Sequence, residues 1–344
     1  MEKSTLLTLK IIGILLGILV LYFVRNLIGY MLLAFVFSSA LRPGVDWLQK
    51  KKIPRFVGGI IVFLLLFLFF GLIFYFTFPP FINEIQSFVS AFPQYWQNFF
   101  LWLPRFEMWL ETSPFGGNIR EAINQYIQKL SQTITSLIGF VSGIFGKILN
   151  LILIIVLIFY FSVEEKISEK FYPFLIIKDR KRQEEVRQKI SRYWKIAESQ
   201  AGRLLQGYVL LAFTVGIMVY IGLSILGIRY SLILAVLAGV LEIIPWLGPV
   251  AAGLLGTLLS LLQEGWAIAF WTAFVFFIVQ QIENYFIIPF VMKNRVNLDP
   301  LLTLIVLIIG GRLGGTLGLV LAVPVGAILV AFLREKSKTS EPPH

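Results

Sequence analysis

Few residues in this chain are equipped for chemistry, and they gather in three short stretches. "VQQIENYFIIP" (279–289) carries Gln280, Glu283 and Asn284 at i, i+3 and i+4, the spacing that places them on one helix face. "LEIIPWLGP" (241–249) sets Glu242 beside Pro245, Gly248 and Pro249. "GGRLGG" (310–315) sets Arg312 between Gly310, Gly311, Gly314 and Gly315. Between Leu204 and Met292 the only charged residues are Arg229, Glu242, Glu264 and Glu283. Glu242 and Glu283 therefore stand in apolar sequence, where a carboxylate is costly and marks an ion or solute pathway by default. Such a group can take up a proton or face a cation. The competing role for the Gln280–Glu283–Asn284 face is a polar spine that holds helices together. For Glu242 it is pairing with Arg312 or with backbone, and for Arg312 it is an interfacial, snorkelling side chain.

Bond-making chemistry has little to work with. The chain has no cysteine, and its one histidine is the last residue, His344. Thiol nucleophiles, thiolate metal sites and histidine catalysis are thereby excluded. "GIFGKIL" has the Gly–Lys of a phosphate loop but neither its frame nor the following Ser or Thr. No enzyme activity, cofactor or metal is expected. The net charge of +11 fits basic cytoplasmic loops better than a nucleic-acid partner.

The elements that must position these residues follow from composition. Hydrophobic residues make up 58% of the 344 and charged residues 14%, well below a soluble domain. Continuous apolar runs of membrane-spanning length exclude a β-barrel, whose strands alternate. The sequence predicts an all-α polytopic protein embedded in the bilayer. Residues 1–78 supply the first transmembrane helices, expected at about 6–24, 27–41 and 57–78. A tight break at Arg25–Asn26 separates the first two, and Pro79–Pro80 ends the third. Residues 79–145 read as an extracytoplasmic, amphipathic segment. It is rich in aromatics such as Phe88, Tyr95 and Trp102, with an apolar stripe of Ile123, Tyr126, Ile127, Leu130, Ile134 and Leu137. That stripe suits the membrane interface or a contact in a homo-oligomer equally. A span over 146–163, a charged cytoplasmic helical segment over 164–203, a C-terminal core over 204–335 and a tail over 336–344 complete the plan. Both termini fall in the cytoplasm by the distribution of Lys and Arg.

Two apolar segments, 231–262 and 300–333, are too long for one span. As a straight helix each would reach about 48 Å, against a hydrocarbon core of about 30 Å. Each is interrupted at its middle, the first by Pro245 and Pro249, the second by four glycines. Each therefore reads as a re-entrant helical hairpin with its tip at the interruption. This gives about six full transmembrane helices plus two hairpins. Eight full spans is the alternative, disfavoured because it would put Lys293 and Arg295 outside.

"LEIIPWLGPVAAGLLG", "QQIENYFIIPFVMKNRVNLDPLLTLIVLIIGG" and "LGGTLGLVLAVPVGAIL" resemble the signature blocks of the autoinducer-2 exporter (AI-2E) family, as do "LRPGVDWLQKKKIPR" and "QGYVL". The resemblance covers nearly the whole chain; residues 79–145 share only their aromatic character. On it, Pro245, Gly248, Pro249, Gln280, Glu283, Asn284, Pro289, Pro300, Gly310, Gly311, Gly318 and Pro324 occupy motif positions. It implies a secondary transporter of the bacterial cytoplasmic (inner) membrane. Members are linked to export of the signal autoinducer-2, and others to sodium or lithium/proton exchange. A small polar solute, Na⁺ or H⁺ is then the expected partner. A membrane scaffold or regulator is the remaining alternative, and it would have no need of two hairpins bearing acids.

Overall fold

The computed structural model describes residues 3–102, 148–165, 167–170, 180–242, 247–292 and 299–340, with isolated positions between 108 and 129. The described residues are almost entirely helical. In chain order they form α1 (Lys3–Lys50), α2 (Arg55–Trp102), α3 (Ile148–Val163), α4 (Ile167–Lys170), α5 (Arg180–Ile225), α6 (Ser231–Leu241), α7 (Leu247–Glu264), α8 (Trp266–Ile282), a π-helical segment (Glu283–Ile287), α9 (Ile288–Met292) and α10 (Pro300–Ser340). Six stretches among them are long and apolar enough to cross a membrane. The protein is an all-α, multi-pass membrane protein.

Three boundaries differ from the sequence expectation. Arg25 and Asn26 do not break the first helix; α1 runs unbroken for 48 residues. Neither residue costs as much as 1 kcal/mol in a helix interior, and neither is flanked directly by Gly or Pro. Pro79–Pro80 does not end α2, which also runs for 48 residues. Proline's fixed φ suits a helix, and each ring removes one hydrogen bond without reversing the chain. Stacked Phe74 and Phe78, with ring centroids 4.3 Å apart, bridge the turn before the prolines. The charged segment and the span after it are likewise one helix, α5. The apolar stripe from Ile123 to Leu137 lies outside the described residues, as do Lys293 and Arg295.

The chain divides into two compact units: residues 1–64, 149–206 and 294–344, and residues 65–148 and 207–293. In the first, Ala34, Phe161 and Ile167 form one buried cluster, while Val36, Ala201 and Leu321 form another. At one end, buried Arg42 of α1 bonds to the Glu198 carboxylate of α5 and to the main-chain carbonyl of Glu164 after α3. Arg55, at the start of α2, pairs with Asp46 at 2.9 Å and Glu165 at 3.0 Å. In the second unit, Val215, Val219, Leu223, Leu234, Ala238, Ala252, Phe276 and Val279 join α5, α6, α7 and α8 in one core.

Both long C-terminal segments are helical hairpins. In the second unit α6 and α7 lie antiparallel. Gly248 faces Ala238, Gly256 faces Leu234, and Leu259 packs with Tyr230. In the first unit α10 folds back on itself at Gly315, whose φ of 58° is the left-handed conformation glycine adopts most easily. Its arms, 300–314 and 316–340, bring Gly310 against Gly318 and Val306 against Gly326.

Candidate functional site

Glu242 and Glu283 meet at the tip of the first hairpin. The arrangement is built by three antiparallel helices. α6 is only 11 residues long, about 16 Å, and Glu242 is its C-cap residue. The chain turns, and α7 begins at Leu247 with Pro249 in its first turn, where a missing N–H breaks no helical bond. Pro245 lies outside the described residues. α7 runs back along α6, and α8 returns beside α7. Ser260 and Thr272 share a buried hydroxyl–hydroxyl bond of 2.9 Å, and Phe276 packs on Gly253 and Gly256. Following α8 onward from that register returns the chain to the tip at Glu283.

The two carboxyl groups are within hydrogen-bonding reach of one another. Both residues are buried, Glu242 at 1% and Glu283 at 0% exposure. Gln280 extends its side-chain amide from one turn earlier, donating from Nε2 to Glu283 Oε2 at a long 3.5 Å. Among the described residues, Oε1 of Glu283 has no hydrogen-bond partner. Tyr208 of α5 lies within electrostatic reach of Glu242. Two carboxylates in contact away from water cannot both stay charged unless a cation lies between them. Such a pair can share a proton between its two carboxyl groups.

Gly248 is what lets Glu242 fit. A Cβ at Gly248 would fall on the Ala238 carbonyl oxygen and lie 2.7 Å from Glu242 Oε2. The carboxyl group thus tucks against the first turn of α7, where the helix dipole favours negative charge.

Beyond Glu283 the helix widens. The Ile288 N–H bonds to the Glu283 carbonyl, five residues back, in a π-helical turn. The next residue, Pro289, has no N–H. The helix therefore offers no donor to the Asn284 carbonyl. Single π turns recur at functional sites, and a carbonyl without a helical donor is a neutral oxygen that can face a polar or cationic group.

Asn284 is half-buried at the start of the π turn. Arg312 is exposed near the turn of the second hairpin and belongs to the other compact unit. Among the glycines of that turn, Gly310 makes the close approach and Gly315 takes the left-handed conformation. Gly314 faces open space, and Gly311 meets Leu319 only at an ordinary 3.6 Å. Tyr208 escaped sequence reasoning, although "QGYVL" contains it; a lone tyrosine in an apolar span carries no periodic signal. No group of three or more His, Cys, Asp or Glu able to hold a metal occurs among the described residues.

A family model described as "AI-2E family transporter" matches residues 11–338. The chain is 27% identical to the "Putative transport protein YueF" of Bacillus subtilis, over 93% of this chain and 89% of that protein. It is 28% identical to the "Putative transport protein MT0215" of Mycobacterium tuberculosis, over 86% and 79%. A 141-residue stretch is 30% identical to the "Putative permease PerM" of Escherichia coli, covering 41% of this chain.

Proposed function

Because this chain belongs to the AI-2E family of transporters, we propose that it is a secondary transporter driven by the Glu242–Glu283 pair as its ion-coupling centre. It moves a small polar metabolite or signal, of the autoinducer-2 kind, out of a bacterial cell across the inner membrane. The observation that carries this reading is the contact between two fully buried carboxyl groups at a hairpin tip. Such a pair is stable with one proton, or with a cation and no proton. Exchanging the proton for a monovalent cation leaves the tip at a charge of minus one, so the exchange is electroneutral, and a hairpin poised between the two states can couple ion movement to solute movement. Gln280 orients the pair, and Gly248 gives Glu242 its place. Both termini in the cytoplasm, and assembly with further copies of the chain, belong to the same reading.

A second reading, Na⁺ (or Li⁺)/H⁺ antiport, is favoured by one specific feature. The π turn and Pro289 leave the Asn284 carbonyl without a helical donor next to Glu283. A dehydrated alkali cation needs neutral oxygens of that kind as well as carboxylates.

Flux assays in proteoliposomes separate the readings. Purified protein is tested with labelled polar metabolites under an imposed H⁺ or Na⁺ gradient, and with internal pH recorded after Na⁺ addition. Solute flux that follows the gradient supports the exporter. Na⁺-driven proton movement with no solute present supports the antiporter. Absence of both leaves the scaffold reading in possession.

A further inference from the structure

α6 is three turns long and cannot be stable by itself, yet it carries Glu242 at its end. Its own N-cap residue, Tyr230, gives it no side-chain cap. The cap comes from another helix. Oε2 of Glu84, on α2, accepts the Ile233 N–H at 2.9 Å, and the Leu232 N–H lies beside the same carboxylate. These are two of the donors that the first turn of a helix leaves unsatisfied. A carboxylate is the favourable group there, because the helix dipole is positive at that end.

The same stretch of α2 grips the base of the hairpin by packing as well. The Tyr95 and Tyr230 hydroxyls are 2.9 Å apart and buried. Phe88 stands edge-on to Tyr230, with ring centroids 5.3 Å apart. Tyr95, Tyr230 and Leu259 form a buried cluster flanked by Phe88, Ile233 and Leu255, so both arms of the hairpin are held. Tyr95 therefore faces the protein interior.

We propose that Glu84 is a positioning residue: as the N-cap of α6 supplied from α2, it fixes the base of the first hairpin and so holds Glu242 against Glu283. This rests on the reading of that pair as the coupling centre. Glu84 itself touches neither partner. It acts through a rod about 16 Å long, anchored at one end by its carboxylate and carrying the working acid at the other.

The chain's lack of cysteine makes the test direct. A single reporter is placed at the tip as Leu247→Cys, and a control at the start of α8 as Trp266→Cys; both native residues are exposed. Labelling by a thiol-reactive maleimide is timed on the full-length purified protein with Glu84, Glu84→Ala, Glu84→Asp or Glu84→Gln. Glu84→Ala is expected to raise the tip rate roughly fivefold, the shift that corresponds to losing a helix cap. The control stays within about twofold on the same basis, and transport turnover falls. Glu84→Gln keeps an acceptor without the charge and falls between. Glu84→Asp keeps the charge but is one methylene short, and it carries the same expectation where the alanine variant fails to assemble. An unchanged tip rate in assembled variants, or an equal rise at both reporters, overturns the proposal. Release of the tip by Glu84→Ala combined with native transport by Glu283→Gln would keep the brace and remove the coupling reading.

Discussion

Oε2 of Glu242 lies 2.7 Å from the point where a Cβ on Gly248 would sit. The acid of one hairpin arm thus occupies the space that the missing side chain of the other arm leaves. The carbonyl of Ala238 crowds the same point, and a main-chain atom inside a packed hairpin cannot swing away as a side-chain end could. Gly248→Ala should therefore force the arms apart or expel the Glu242 carboxyl. Overpacking of this kind costs about 1–3 kcal/mol. We expect a lower unfolding temperature in detergent and a larger proportional loss of transport, since the displaced group is the working one. Native transport by Gly248→Ala would show that the fit between the two residues is incidental.

The second hairpin separates its glycines by role. A Cβ on Gly310 would strike the Gly318 carbonyl and the Ala322 methyl, whereas Gly314 has open space around it. Gly310→Ala should destabilise by about 1–3 kcal/mol. Gly315→Ala should cost about 1–2 kcal/mol, because a residue with a Cβ must then hold the left-handed conformation. Gly311→Ala and Gly314→Ala should stay within about 0.5 kcal/mol of the native protein. Thermal unfolding of the four variants gives the order. Equal effects at Gly310 and Gly314 would contradict the hairpin packing.

Arg42 and Glu198 test the first unit. Their side chains are 11% and 19% exposed, and Arg42 also bonds to the Glu164 carbonyl. Removing one partner of a pair this far from water leaves the other charge stranded, at a cost of about 3 kcal/mol. Arg42→Met and Glu198→Leu should each lower the unfolding temperature sharply. The double variant should recover much of the loss, because no stranded charge remains. Additive single effects, measured as a double-mutant cycle, would show that the pair is not coupled.

The hairpins were legible in the sequence because the signals that make them are local: prolines and glycines act on their own backbone, at the middle of segments too long for one span. Glu242 and Glu283 stood out because carboxylates in apolar sequence are rare. Their contact was not legible. It depends on α8 returning antiparallel along α7 so that residue 283 reaches the level of residue 242, a matter of packing register. Arg25–Asn26 and Pro79–Pro80 misled for the complementary reason. They are weak or one-sided helix breakers, and the helix continues where neighbouring contacts hold it. Glu84 was invisible as a cap, since a cap supplied from another helix leaves no mark near α6. Pro289 was in view, but its consequence needs the π turn before it.

Glu242 and Glu283 should behave as one titrating unit. Glu283→Gln keeps the size of the side chain and its hydrogen bonding but removes its charge. The pair can then no longer alternate between one proton and one cation. We expect a folded, assembled protein whose flux is lost or has become insensitive to pH. Glu242→Gln should do the same from the other side, because either carboxyl alone lacks the partner that makes loading and release reversible. Residues that act as a unit are strongly non-additive. The double variant should therefore be little worse than either single one, whereas two independent sites would multiply their losses. Flux measured across pH for the native protein, both single variants and the double variant decides the matter. If the pair were only a polar spine, the glutamine variants would preserve that spine and the pH profile would stay native. A native profile, or losses that multiply, would end the reading of this contact as the coupling centre.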